Sequence, residues 1–480
     1  MPPAPPDLRS CAALIVLERR ADIDLDALLR VSWQGEAVRI GPAALDRMGS
    51  CRRSFLQLIE SDPAITVYGV TSGYGDRAAI RLSDLERKEQ ASRPPVTGAS
   101  FGEPLPERVT RGIVLARLAN FLEGHGAVRP ELAEAVAGML DGGPLPAVPA
   151  QGNGGAGEIL ALGHLFHDLG ARVGLEEKES LALVNGSPCA AALAGDAALA
   201  ARGRLALAHE AFALSVEAFH APLEAYSAEL AELWGDEHET AALRSLGTLL
   251  EGSGGERRAY QAPVSYRILP RVLGQAHRAL AEAEHAAEIS LRSVSDNPVY
   301  VPPDADNPLG RVWSTGGYHN AQAPPALDGL AAAWADLAAL AESQMEKLLF
   351  DDVAAENVRH LIMVAVGWAE EARNAAQRTL LPRGGFGQND VGSPSFLAWS
   401  KERAAGAALD ATLGVLCATA SRILWARGEE PTPQLAGFLA GVRSHFPPAT
   451  ETHLYGMALG RLAEAFTARV LGGDAYADAQ

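Results

Sequence analysis

The chain has 480 residues, of which 48% are hydrophobic and 21% charged, a composition that excludes a mostly disordered protein and allows a large buried core. Its 41 basic and 59 acidic residues give a formal charge of -18 with no basic stripe to interrupt it, so nucleic acid is excluded as an expected partner. Cys11, Cys51, Cys189 and Cys417 have neither metal-ligand nor paired spacing; the expectation is a reducing cytoplasm, with no metal and no disulfide framework.

The opening segment, MPPAPPDLRSCAALIVLERR, has a short apolar run without a basic flank or a small-residue cleavage site, which is not the pattern of a signal peptide. No stretch reaches the roughly 18 uninterrupted apolar residues of a membrane span, so no membrane partner is expected. From about Pro104 onward, apolar residues recur at helical spacing between short Gly- or Pro-containing connectors. Leu193 to Trp234 reads as one or two long helices divided or kinked at Pro222. Further long helices are expected from about Arg271 to Arg292, Ala326 to Leu349, Val358 to Arg378 and Pro394 to Arg427. The fold class is therefore all-α, a bundle of long helices. A loop-rich part over 1–190 precedes a long-helix part over 191–480.

Between the helices lie five loops dense in Gly and Asn: VYGVTSGYGDR, VPAQGNGGAGE, SVSDNPVYVPP, STGGYHNAQ and RGGFGQNDVGS. Each alone reads as a turn, but five in a helical protein point to backbone that approaches a ligand closely.

These loops, in this order, resemble those of the histidine, phenylalanine and tyrosine ammonia-lyase family, from about Val67 to about Cys417. VYGVTSGYGD is similar to the family's Y-G-x-N-T-G-F-G loop, RGIVLARLANFLEGHGAVRPEL to its helix ending in G-V-R-P, and SLALVNGSPCAAAL to its L-A-L-[IV]-N-G-T motif. SVSDNPV, GGYHNAQ and QNDVGS stand where the family has S-D-N-P, G-N-F-H-G and N-Q-D-V-x-S. The resemblance implies an all-α homotetramer of long parallel-packed helices, with each active site assembled from three subunits.

The family's electrophile is 4-methylidene-imidazol-5-one, made from Ala-Ser-Gly by cyclisation and loss of water, the Ser hydroxyl included. Here VPAQGNGGAGEILALGHLF matches that segment with one residue fewer, and Gly155, Ala156 and Gly157 take the place of Ala-Ser-Gly. Alanine has no β-oxygen to lose, so the expectation is that this cofactor is absent.

Tyr68 matches the family's catalytic tyrosine. A free phenol ionises only near pH ~10, so a base of this kind needs an electropositive setting. Arg267, flanked by the matching Ser265, Pro270 and Gly274, stands at the carboxylate clamp, a role suited to the guanidinium fork. Asn185 and Asn297 match amides that position the prosthetic group and the substrate, and read from the residues alone they serve equally as turn-stabilising asparagines. Tyr318 in GGYHNAQ joins the substrate-facing set, while Gln388 and Asn389 resemble the aromatic lyases' amide pair in swapped order. Two positions depart from the family: Val264 replaces a second tyrosine, and Thr97 stands near the residue that selects the ring, which argues against histidine as substrate.

The base, the clamp and the amide shell thus persist where the electrophile is gone. Ammonium is a poor leaving group and a β-proton weakly acidic, so deamination of free phenylalanine or tyrosine is expected to be lost or extremely slow. The leading expectation is elimination, conjugate addition or cyclisation on a small-molecule substrate that carries its own activation, with Tyr68 as acid and base. Two alternatives stay open at this point: an ammonia-lyase or aminomutase that retains deamination, and a non-catalytic subunit paired with an active paralogue.

Overall fold

The computed structural model describes residues 14–62, 64–351, 358–385, 387–448 and 454–472; Cys11 and most of the opening segment lie outside them. The chain forms two compact units. The first comprises 1–196, 285–324 and 380–397, the second 197–284, 325–379 and 398–480.

Most described residues are helical, and strands are confined to two small pairs. In the first unit Leu14–Leu17 runs parallel to Ala37–Ile40, with Leu14 opposite Ala37, and Val299–Val301 pairs antiparallel with Arg311–Trp313. The helix Pro42–Ser61 starts with Gly41 as cap and Pro42 in the first turn, where a missing N–H costs nothing. It buries Ala44, Met48, Cys51, Phe55 and Ile59, one residue every three or four and hence a single face. Cys51, Phe55 and Ile59 pack with Val67, Val70, Ala127 and Tyr300, so the loop that carries Tyr68 is anchored on both sides by core valines. Thr71 tightens it further: its Oγ1 accepts from Val67 N and donates to Ile65 O, both at 2.8 Å.

The long helix Pro188–Phe219 stops three residues before Pro222, with His220 in a left-handed conformation at φ 54°; the shorter helix Glu229–Trp234 follows. The other expected helices are Leu269–Arg292, Ala323–Asp351, Leu361–Ala375 and Ser395–Arg427. Ser395–Arg427 is long and apolar enough to cross a membrane by length and composition, yet 94% of its apolar window is buried inside the protein. It is a core helix, and two of its buried acids are paired: Glu402 accepts from Trp334 Nε1 at 2.8 Å, and Asp410 holds Arg204 by two hydrogen bonds at 2.9 and 3.1 Å.

His209 and His277 meet through their Nε2 atoms at 2.9 Å. Burial disfavours the charged ring, holding His209 down at about 3 and His277 at about 4. An unfolded chain protonates both near pH ~6.5, so stability is complete above that pH and declines as pH falls toward the folded-state values. The thermal midpoint is expected to fall between about pH 7 and pH 5 more steeply in the parent than in a His209→Gln/His277→Gln double variant. Parallel curves would show that the pair does not contribute.

Candidate active site

The first unit encloses a cavity of about 300 Å³ lined by Tyr68, Thr97, Ala156, Gly157, Asn185, Asn297, Tyr318, Gln388 and Asn389, among others. The structure therefore brings together most of the site residues expected from the sequence, from seven separate stretches of chain.

Local geometry explains how each is held. Gly69 has φ 67°, and a β-carbon there would stand 2.1 Å from Leu181 Cδ1, so only glycine lets the Tyr68 loop close on the helix Glu179–Val184. Gly75 N donates to the Tyr68 hydroxyl oxygen at 3.0 Å, and Gln388 Nε2 donates to Gly75 O at 2.8 Å. Tyr68 and Gln388 are thereby linked through one glycine residue.

The amide wall is built as a network. Asn185 Nδ2 donates to Asn297 O. Asn297 Oδ1 accepts from Thr315 N at 2.8 Å, and Asn297 N donates to Asp296 Oδ1 at 2.8 Å. Asp296 forms an ion pair with Lys178, and both side chains are 0% exposed. Burial lowers the Lys178 ammonium from its ordinary range while the Asp296 carboxylate opposes that shift. Asn120 Oδ1 accepts from Ser295 N at 2.7 Å and Asp296 N at 3.0 Å. Arg117 donates to Asn185 O; its Nε and Nη2 have no hydrogen-bond partner among the described residues. Gly186 is required here as well, because a β-carbon would stand 2.7 Å from Arg117 Nη2.

Gly155, Ala156 and Gly157 occupy the loop before the helix Ile159–Val173. Gly155 and Gly157 have φ of 102° and 71°. Gly155 O accepts from Ser393 N at 3.0 Å, and a β-carbon on Gly157 would stand 3.5 Å from Tyr318 Cδ2. Ala156 presents only a methyl group to the cavity that it and Gly157 line. The next residue, Glu158, is buried and accepts from Cys189 N at 2.6 Å and Ala190 N at 2.7 Å. It thus satisfies free N–H groups at the start of the helix Pro188–Phe219. Burial pushes its carboxyl up to about 7 against those two donors.

Arg267 and Val264 belong to the second unit. Val264 is 57% exposed, and Arg267 is exposed with Nε donating to Ala262 O at 2.8 Å. Neither lines the cavity. Lys178, Asp296, Arg117 and Asn120 were not among the residues expected from sequence. The signal that pointed to one of them was rarity, since Lys178 is one of only four lysines in an arginine-rich chain. Among the described residues, no cluster of three or more His, Cys, Asp or Glu side chains could hold a metal ion.

A protein-family model described as aromatic amino acid lyase matches residues 23–172 and 169–368. The chain belongs to the aromatic amino acid lyase family. A histidine ammonia-lyase of Deinococcus radiodurans is 30% identical over 367 residues, 70% of this chain and 68% of its own. One from Geobacillus thermodenitrificans is 31% identical over 352 residues, 67% and 68% of the two chains. Among solved structures, the ergothioneine-degrading enzyme of Treponema denticola superposes with a TM-score of 0.84 at 17% identity, covering 96% of this chain and 99% of that one. Tyrosine aminomutase of Streptomyces globisporus gives 0.80 at 21%, covering 93% and 96%. At those identities the structural matches establish the fold, which is the all-α lyase fold.

The ion pair behind the amide wall makes a sharp prediction for this protein. Lys178→Met strands a buried carboxylate and should cost about 3–5 kcal/mol, whereas Lys178→Met/Asp296→Asn should recover most of that loss. Denaturant unfolding measures both, and equal stability of the two variants would show that the pair is not the constraint.

Proposed function

We propose that this protein is a lyase-type enzyme working without the methylidene-imidazolone group, with Tyr68 moving the proton on a substrate that is activated by its own carbonyl or unsaturation. The observation that carries this reading is Ala156, which stands in the position of the family's serine in a cavity that keeps Tyr68, Asn185, Asn297, Tyr318, Gln388 and Asn389. The Gly155-Ala156-Gly157 stretch does not fit the prosthetic group: closing the ring by attack of the Gly157 nitrogen on the Gly155 carbonyl would still leave a methyl where the methylidene must be. No step is therefore routed through that group.

In the reaction proposed, the Tyr68 oxygen takes a proton from the carbon beside an activating carbonyl. The electron pair moves into that carbonyl, and the enolate then expels a group at the β-carbon; addition is the same path reversed. The amides of Asn185 and Asn297 are neutral donors placed to receive the enolate or the carboxylate oxygens. We assign Arg267 to the carboxylate clamp of a neighbouring subunit's cavity in a homotetramer. The fold supports a shift of chemistry, because aminomutases and an ergothioneine-degrading enzyme share it, and one scaffold hosts several reactions.

The test is turnover of β-substituted and α,β-unsaturated acids and thioesters by the parent and by Tyr68→Phe. The variant should lose about 10²–10⁴-fold in turnover, the contribution of a positioned acid or base, with the fold unchanged by circular dichroism. Equal turnover would remove Tyr68 from the mechanism.

A further inference from the structure

The cavity's charge is not balanced by its own lining. Among the described residues that line it there are two cations, Lys178 and Arg93, and no carboxylate. Lys178 is spent on Asp296 behind the wall. Arg93 is exposed and forms no ion pair among the described residues, with the acidic residues of its own helix included. In a chain of net charge -18, an unpaired guanidinium at a cavity is where an anion would be held.

The segment bearing it is rigid. Arg93 closes the helix Asp84–Ser92 with φ -77° and ψ 124°, the extended conformation that a following proline imposes, and Pro94 and Pro95 continue along the cavity wall. Gln90 Nε2 donates to Gly69 O at 2.8 Å, and Thr97 Oγ1 donates to Ile159 O. His167 Nδ1 lies 2.6 Å from Pro95 O. One end of the segment is thus fastened to the Tyr68 loop and the other to the chain just past Ala156. Val96, Leu181 and Val184 add apolar surface to the same cavity. A cation on a fixed backbone beside apolar walls binds without paying much ordering entropy.

We propose that Arg93 binds an anionic substituent, a carboxylate or a phosphate, on a part of the substrate other than its reacting carbons, so that the substrate is a doubly functional acid with an apolar spacer. This rests on the lyase-type reading for its notion of a substrate, and its test reads binding without turnover. Calorimetric titration of the full-length protein with cinnamate, 4-carboxycinnamate and 4-phosphonooxycinnamate compares one acid with two that carry a second anion. At least one doubly anionic probe should bind the parent about tenfold or more tighter than cinnamate, the contribution of one charge-assisted hydrogen bond. Whichever of the two gains more identifies the substituent. Arg93→Leu should abolish the preference and leave cinnamate binding unchanged, and Arg93→Lys should restore part of it. Equal binding of all three by the parent, absence of binding, or a preference that survives Arg93→Leu overturns the proposal. A Tyr68→Phe variant without turnover but with the preference intact would leave Arg93 in place, so the two readings fail separately.

Discussion

The Lys178–Asp296 ion pair is the interaction on which the site depends. Both side chains are fully buried, and charges removed from water persist only where each satisfies the other. Lys178 opens the helix Glu179–Val184 from a left-handed conformation at φ 70°, and that helix ends at Asn185. Asp296 precedes Asn297. The pair therefore joins the two stretches of chain that carry the site's asparagines, and the Asn185 to Asn297 hydrogen bond is made between elements already locked together. Arg52 and Arg129 extend the lock: Arg52 donates to the carbonyls of Ala127 and Glu177 at 2.9 and 2.7 Å, and Arg129 reaches the buried Glu179 at 2.7 Å.

The same logic governs the floor beneath the altered tripeptide. Arg117 is buried with two donor groups unpartnered, and burial lowers its guanidinium while Asp296 and Glu158 counter the shift. Glu158, held up at about 7, is the group nearest in sequence to Ala156 that titrates near neutrality.

Much of the fold was legible because its signals are local. Pro222 and the uninterrupted Ala and Leu pattern before it mark the end of the helix Pro188–Phe219, and four other long helices fall within a few residues of their expected bounds. The helix Pro42–Ser61 was not anticipated; its buried face includes Arg52, a charge that hides a helical stripe from a reading based on apolar spacing. Ser395–Arg427 escapes a search for unbroken apolar runs because Asp410 interrupts the apolar stretch that follows Arg403, and the structure spends Asp410 on Arg204. In the site, Tyr68, Asn185, Asn297 and Gln388 could be read from loop wording. Lys178, Arg117 and Arg93 could not, because their roles depend on which charge lies opposite them, and that is a property of packing.

The proposed chemistry turns on one position: residue 156 is an alanine with no β-oxygen to lose, in a cavity lined by Tyr68, Asn185, Asn297 and Gln388. Intact-mass spectrometry of the purified protein, followed by sequencing of the peptide that spans residues 148–160, tests this most directly. The expected result is the full mass encoded by the sequence, with Gly155, Ala156 and Gly157 joined by ordinary peptide bonds. A deficit of one water, from ring closure, or of two, mapped to this peptide, would contradict it.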